Sequence, residues 1–215
     1  MIESRCGILC SSCDYKEKMN CKGCINIEKP FWSESCPVKA CCEGKKLSNC
    51  GQCSTFPCEL LKKFAYDEKQ GDGGARIGQC ICWRISEETE YPWLDTFLKS
   101  MQGADSDYKV EWGWNRYLIA EKMFAAICKD AKGERDIITL KLDPMDGDFL
   151  RSQYEDIIPG HYMNKVHWNS IYLDGSVPEK LLKELIEKSY QLVLNGLSKK
   201  KQNEILNCGV LKEKN

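Results

Sequence analysis

The chain has 215 residues, a formal net charge of −1 at pH 7 and 15 cysteines. This length accommodates one large domain or two small ones. Proteins that neutralise many phosphates are usually basic, so the charge balance by itself gives no support to nucleic-acid binding. Neither a transmembrane-length apolar run nor a signal-peptide pattern is evident, and we therefore expect a cytoplasmic protein that does not cross a membrane.

Cysteines crowd the first 58 residues, which contain 11 of them. Three C-x2-C pairs stand at positions 10/13, 21/24 and 50/53. Two cysteines at this spacing can hold one ion from a tight turn. Because a cytoplasmic chain keeps its thiols reduced, the pattern favours metal binding over disulfide formation. No histidine accompanies these cysteines, which indicates closed, all-thiolate sites.

The same segment is poor in material for a hydrophobic core. Large apolar residues occupy 13 of positions 1–58, compared with 43 of positions 91–197. Small domains with so few apolar residues usually need a metal or disulfides, whereas the later segment can bury a core by itself. Eight thiolates would fill two four-cysteine zinc sites, and an iron–sulfur cluster is the alternative because thiolates suit both metals.

The remaining pattern predicts a second domain after a linker. The glycine-rich break at 71–74 places the module at 1–70 and a linker at 71–90. Cys80 and Cys82 of the linker form a C-x-C pair that could donate to a metal, and we favour their interpretation as half-buried packing residues. The second domain covers 91–201, and a polar tail covers 202–215. Apolar periodicity predicts helices at 59–65, 91–102, 146–154 and 178–196, and strands at 108–112, 116–120, 122–129, 136–143 and 167–173.

The run from 159 to 170 contains both histidines of the chain, His161 and His167, together with Asn164, Lys165 and Trp168. It could bind an anion, a base or a metal, or it could be a turn that enters a strand with Trp168 packed in the core. Two histidines six apart, without paired cysteine or carboxylate ligands, make a poor metal site. No nucleophile elbow, P-loop or dinucleotide motif occurs, so we assign no catalytic residue and favour a non-enzymatic role.

The cysteine pattern resembles that of an uncharacterised bacterial and archaeal cysteine-rich domain for which zinc binding is inferred. The resemblance covers residues 6–58 through CGILCSSC, CKGC, CPVKACC, NCGQC and FPCELL. It leaves Cys42 as an extra cysteine. The thiolate ligands that it implies are Cys6, Cys10, Cys13, Cys21, Cys24, Cys36, Cys41, Cys50, Cys53 and Cys58.

Residues from about 91 to 201 resemble the MmcQ/YjbR family, through EKMFAAI, ITLKLDP, PGHYMNKVHWNSIYLDG, VPEKLLKELIEKSYQLV and GLSKK. The resemblance implies a compact α/β domain of the CyaY/frataxin type, with an antiparallel sheet and helices on one face, and hence an α+β protein overall. The family is commonly described as DNA-binding through a double-wing arrangement of hairpins. On that reading the expected contacts are Lys122, Lys141, Lys165, His167 and Trp168, with the lysines at 199–201.

Three functions therefore stay open. The first is a zinc-containing regulatory protein whose second domain contacts DNA, and we rank it first because of the family description. The second is a small-molecule or metal-handling protein, conceivably an enzyme, with a pocket near residues 161–168. The third is a scaffold whose cysteine module binds a protein partner.

Overall fold

The computed structural model of the chain describes residues 2–88, 91–161 and 163–207. It divides into two compact units, Met1–Glu88 and Thr89–Asn215. Most of the predicted polar tail, residues 208–215, lies outside the described residues. In the part of the chain that is described, no helix has the length and apolar character needed to cross a bilayer.

The first unit consists of short helices joined by cysteine-containing turns. Three 3-10 turns begin at cysteines of the C-x2-C pairs: Cys10–Ser12 and Cys50–Gln52 begin at the first cysteine of their pair, and Cys24–Asn26 begins at the second. Pro37 occupies the first turn of the second α-helix, where its missing N–H costs nothing, and Cys36 caps that helix by accepting a hydrogen bond from the Lys39 N–H. The α-helices are α1 (Tyr15–Lys18), α2 (Pro37–Gly44), α3 (Glu59–Ala65) and α4 (Ala75–Glu88).

Apolar burial in this unit begins only with α2. The core side chains Val38, Leu61 and Ile77 are at most 2% exposed. Before α2, six large apolar side chains are more than a third exposed, namely Leu9, Tyr15, Met19, Ile25, Phe31 and Trp32. The segment before α2 therefore has little hydrophobic burial to hold its shape.

The predicted linker at 71–90 requires correction. Residues Ala75–Glu88 form α4, and the helix belongs to the first unit. The residues Ile77, Ile81 and Ile85 recur every four positions and are all buried, so the helix packs through one face. The glycine-rich stretch at 71–74 is thus a turn between α3 and α4, within the unit. Cys80 and Cys82 are buried, as expected of packing residues.

The second unit is built on a six-stranded antiparallel sheet with the order β1-β2-β3-β4-β6-β5. Four helices accompany it among the described residues: α5 (Leu94–Ser100), α6 (Pro144–Gln153), α7 (Glu179–Asn195) and α8 (Lys199–Asn207). The predicted α+β class is confirmed. The strands are β1 (Ala104–Lys109), β2 (Trp114–Ile119), β3 (Lys122–Lys129), β4 (Asp136–Lys141), β5 (Ile157–Pro159) and β6 (Trp168–Tyr172).

Helix α7 packs across the centre of this sheet, against β2, β3 and β4. Ile127, Ile138 and Ile171 are aligned across β3, β4 and β6, and each is at most 1% exposed. Neighbours in register point to the same side of a sheet, so these three form one apolar row. Gly196 ends α7, as predicted.

A β-bulge in β3 is fixed by a buried serine of α7. The pairing of β2 with β3 shifts between Tyr117 and Leu118, which leaves Phe124 as the extra residue. Ser189 Oγ donates to the Phe124 carbonyl at 2.5 Å and accepts from the Lys141 N–H at 2.8 Å. One hydroxyl thus satisfies two backbone groups that the bulge leaves without ladder partners.

Three elements differ from the sequence prediction. The first strand of the sheet is Ala104–Lys109 and not 108–112, because residues 110–113 form the turn to β2. The strand Ile157–Pro159 is only three residues long and was not predicted. Helix α8 occupies the start of the predicted tail, where Gln202 and Ile205 are buried.

Candidate functional site

A small cavity in the first unit is walled by thiols. Its volume is about 20 Å³, close to that of a single water molecule or ion. Four of the predicted ligands and the extra cysteine border it: Cys41, Cys42, Cys50, Cys53 and Cys58. These cysteines come from α2, from the Cys50–Gln52 turn with the residue after it, and from the start of α3. Three separate segments therefore bring their cysteines to the same cavity.

Cys53 is a thiol of this cavity whose surroundings favour ionisation. Its Sγ lies 3.3 Å from the Thr55 hydroxyl and 3.2 Å from Lys45 Nζ. The Thr55 hydrogen bonds, assisted by the lysine, lower the pKa of Cys53 to about 7. Because the thiolate is the form that binds a metal, Cys53 is prepared for ligation near neutral pH.

Deeper thiols adjoin the cavity. Cys42 Sγ donates to the Leu47 carbonyl at 3.4 Å, and its interaction with Cys50 raises the pKa of Cys50 and lowers the pKa of Cys42. Cys80 of α4 is fully buried and interacts electrostatically with Cys6, Cys42 and Cys50. Burial raises the pKa of the Cys80 thiol. A metal ion would have to displace these protons, so binding should strengthen as pH rises.

A further thiol group lies around the first two C-x2-C pairs. The Cys24 N–H donates to Cys10 Sγ at 3.4 Å, the kind of contact that stabilises a thiolate. Burial raises the pKa of both thiols, and Cys24 also interacts with Cys36. Cys13 and Cys21 are linked through Lys16, whose N–H donates to the Cys13 carbonyl and whose carbonyl accepts from the Cys21 N–H.

The donor chemistry of both groups fits zinc, which thiolates bind in fours. Among the described residues, no three cysteine, histidine, aspartate or glutamate side chains already stand at metal-holding distances. Binding therefore requires the thiol side chains to turn towards a common centre. All ten predicted ligands lie in the described part of the first unit, and none is fully buried.

Five of the predicted DNA contacts lie at one end of the sheet of the second unit, whereas the predicted lysines 199–201 form the start of α8. Strand β3 begins at Lys122, β4 ends at Lys141 and β6 begins at Trp168. Lys141 and Trp168 are direct neighbours across the strands. Lys165 and His167 lie in the loop that enters β6. Lys122 and Lys165 are exposed, whereas Lys141, His167 and Trp168 are partly buried.

The loop before β6 is organised by Asn164. Its Oδ1 accepts from the Val166 N–H at 2.9 Å, and its carbonyl accepts from the N–H groups of His167 and Trp168. Asparagine commonly closes turns in this way, so this side chain has a structural role. Tyr162 lies outside the described residues.

Two hairpin turns (the wings), 110–113 between β1 and β2 and 130–135 between β3 and β4, lie at the opposite end of the sheet, and two arginines near them are paired. Arg116 binds Asp107 through two hydrogen bonds of 2.6 and 2.7 Å, which lower the pKa of Asp107. Arg135 binds Asp174 and lies over the Tyr172 ring. These pairs offset the positive charge that a wing would offer to phosphates.

A groove of about 620 Å³ runs between α6 and α7. Carboxylates outnumber cations along it, and Lys188 is paired with Asp146 at 2.9 Å. An anionic lining repels phosphates, so this groove is not a nucleotide site on the present geometry. The lining residues are Asp143, Asp146, Glu184, Glu187, Lys188, Gln191, Leu192 and Asn195.

Comparison with known proteins decides the family of the second unit. Residues 99–192 match the YjbR family model. The uncharacterised protein YjbR of Escherichia coli K12 is 32% identical to this chain over 106 residues, which cover 49% of this chain and 88% of that protein. The chain belongs to the YjbR family. The YyaQ protein of Bacillus subtilis is 46% identical to this YjbR chain over 63 residues, covering 29% of it and 52% of YyaQ.

The first unit of this YjbR protein matches another model. Residues 2–63 match a domain described as a protein of unknown function, DUF3795. Among solved structures, a Deinococcus radiodurans protein with a DUF419 domain gives a TM-score of 0.49 at 27% identity, covering 54% of this chain and 88% of that one. A Pseudomonas syringae protein gives 0.42 at 25% identity, covering 48% and 97%.

Two cysteines of this YjbR protein gain importance that the spacing pattern did not give them. Cys42 borders the cavity and contacts Cys50, although it was set aside as an extra residue. Cys80 joins the deeper thiols from α4. The four-residue recurrence of Ile77, Ile81 and Ile85 is the signal that would have revealed α4 and the inward direction of Cys80.

Proposed function

We propose that the protein binds zinc through thiolates of its first unit, and that the bound ions hold this unit in shape. The cysteine-lined cavity is the observation that carries the proposal, because five of the ten residues that line this space, which has the size of one ion, are cysteines. Cys41, Cys50, Cys53 and Cys58 supply the four ligands of a tetrahedral site there. Cys10, Cys13, Cys21 and Cys24 supply a second set.

The physical chemistry of the site favours zinc and a cytoplasmic location. An all-cysteine set leaves no open coordination position, which is typical of structural sites. The reducing cytoplasm keeps thiols available for a metal. An iron–sulfur cluster uses the same ligands, and the absorption of visible light by the purified protein distinguishes it from colourless zinc.

Metal analysis of purified full-length protein tests this proposal. Replacing Cys53 and Cys58 together by alanine should remove the cavity ion, because a four-ligand site with two ligands lost binds zinc far more weakly. Cys128→Ala is the matched control, since Cys128 is a buried thiol of β3 in the other unit. A wild-type chain without bound metal, or equal metal content in the double variant, would contradict the proposal.

DNA binding by the YjbR domain is the second proposed function. It is supported by five predicted contacts at one sheet end: Lys122, Lys141, Lys165, His167 and Trp168. The family description supports DNA binding as well, but it attributes the binding to the hairpins. Exposed lysines at such an edge contact phosphates, and aromatic side chains can stack on bases. The regulatory role suggested by the sequence rests on this binding.

Charge reversal at the sheet end tests DNA binding. We expect the double substitution Lys122→Glu and Lys165→Glu to weaken binding of duplex DNA at least tenfold in fluorescence anisotropy at about 50 mM salt. Binding by the wild type should also fall steeply with salt, because each phosphate contact releases counterions. Lys132→Glu, at an exposed wing tip, is the control. Salt-independent binding, or an equal loss in the control, would exclude this surface.

A further inference from the structure

Cys80 lies outside the three C-x2-C pairs and outside the predicted ligand set. It follows the match to DUF3795, which ends at residue 63, and it belongs to α4. Its side chain is 0% exposed, and the thiols with which it interacts come from three other segments. Cys6 precedes the first turn, Cys42 belongs to α2 and Cys50 opens the Cys50–Gln52 turn.

Two Cys-Gly turns dock directly on the backbone of α4 and bring these thiols together. At Gly7, an added Cβ would lie 1.9 Å from the carbonyl oxygen of Arg76. At Gly51, an added Cβ would lie 2.3 Å from the carbonyl oxygen of Cys80. Only glycine permits such approaches, and the two contact points are one helical turn apart. Each glycine directly follows a cysteine, so docking delivers both thiols to the same stretch of α4.

The two turns are supported in the same manner. Ser4 Oγ accepts from the Gly7 N–H at 3.1 Å, and Asn49 Oδ1 accepts from the Gly51 N–H at 2.8 Å. Both polar side chains are 0% exposed. The turns are also tied to each other, because the Cys50 N–H donates to the Arg5 carbonyl at 2.8 Å. These buried hydrogen bonds fix the backbone on either side of Cys6 and Cys50. Hydrogen bonds around a metal site orient its ligands in the same way.

Cys50 stands between the inner thiols and the cavity. It contacts Cys42 and interacts with Cys6 and Cys80, and it also borders the cavity with Cys41, Cys53 and Cys58. A thiolate sulfur has enough lone pairs to bind two ions at once. Two tetrahedral ions that share one corner need seven ligands, and these seven cysteines supply that number.

We propose that Cys80 completes an inner four-thiolate metal site with Cys6, Cys42 and Cys50, and that Cys50 bridges it to the ion of the cavity. The proposal rests on the proposed zinc binding and deepens it by adding one ion and two ligands, Cys42 and Cys80, from outside the predicted set. Arg5 and Arg76 interact with Cys42 and Cys6, but they are already paired with Glu43 and Asp72. Lys45, whose Nζ lies 3.2 Å from Cys53 Sγ, offsets part of the negative charge that seven thiolates around two divalent ions would leave.

Metal content of single-cysteine variants tests the inner site. Full-length wild type, Cys80→Ala and Cys82→Ala are saturated with zinc, freed of loosely bound metal and analysed for zinc per chain. Cys80→Ala should lose one ion per chain and Cys82→Ala none. Cys82 is a stringent control because it is buried on the same helix, two residues away. Equal zinc in wild type and Cys80→Ala would overturn the inner site, whereas a wild type without zinc would overturn the proposed function itself.

The sharing of Cys50 between two ions can be tested on the wild-type protein, so this test does not require a variant to fold. Wild-type protein loaded with cadmium-113 should show two cadmium resonances coupled to each other through a shared sulfur. Coupled resonances support the bridge through Cys50. Cadmium resonances without mutual coupling would overturn it.

Discussion

Stripping the metal from the full-length protein should unfold the cysteine-rich part of the first unit and leave the YjbR domain folded. Structural zinc sites in small domains contribute about 10–16 kcal/mol near neutral pH, which exceeds the whole stability of most domains. The segment before α2 exposes most of its large apolar side chains and has little else to oppose chain entropy. The sheet of the YjbR domain has its own buried core and needs no ion.

Hydrogen exchange followed by mass spectrometry shows which segments unfold when the metal is removed. After treatment with a strong zinc chelator, peptides from residues 2–58 should lose their protection, and peptides from β3, β4 and α7 should keep theirs. Chelator already saturated with zinc is the control. Unchanged exchange in residues 2–58 after verified metal removal would show that the ions are not structural.

Gly7→Ala should destabilise the first unit by about 2–6 kcal/mol. The new methyl group would meet the Arg76 carbonyl at 1.9 Å, and the backbone there has φ of +93°, which L residues rarely adopt. Overpacking a tight contact costs about 1–3 kcal/mol, and a strained backbone adds about 1–3 kcal/mol more. The substitution also pushes Cys6 away from α4, so zinc affinity should fall with stability.

Gly44→Ala is the matched control for this substitution. Gly44 ends α2, and an added Cβ there would meet no atom within 4 Å. Its effect on stability should therefore be small, or slightly positive because alanine favours the helix. The free energy of unfolding of the first unit is measured for both variants by urea denaturation at fixed excess zinc. Hydrogen exchange of peptides from residues 2–88 serves as the readout. Similar stabilities for the two variants would refute the close packing of Gly7 on α4.

The YjbR domain was the more predictable part of the protein. Strand β3 has the predicted limits, 122–129, because its apolar run lies between clear turn signals. Helix α7 shows its apolar stripe and its terminal glycine plainly in the sequence. Strand β5 and helix α8 escaped prediction because three residues, or a mostly charged segment, carry no strong periodicity.

The candidate sites depended more on tertiary contacts. The spacing of cysteines identifies ligands, but it cannot show that Cys42 and Cys80 approach Cys50, since Cys80 comes from a helix that was predicted as linker. At the sheet, strand order and register bring Lys122, Lys141 and Trp168 to one end. The family resemblance predicted these residues as DNA contacts. It could not show that the wings lie at the opposite end of the sheet, because that depends on the strand order.

Because Gly7 and Gly51 dock on α4, the compact first unit is longer than the segment that the DUF3795 family model matches. The recognisable DUF3795 segment ends at residue 63, whereas the compact unit continues to Glu88. A fragment cut at residue 63 or 70 would lack the helix against which both glycines close. A search for buried cysteines that belong to this unit must therefore extend beyond residue 63 into α4.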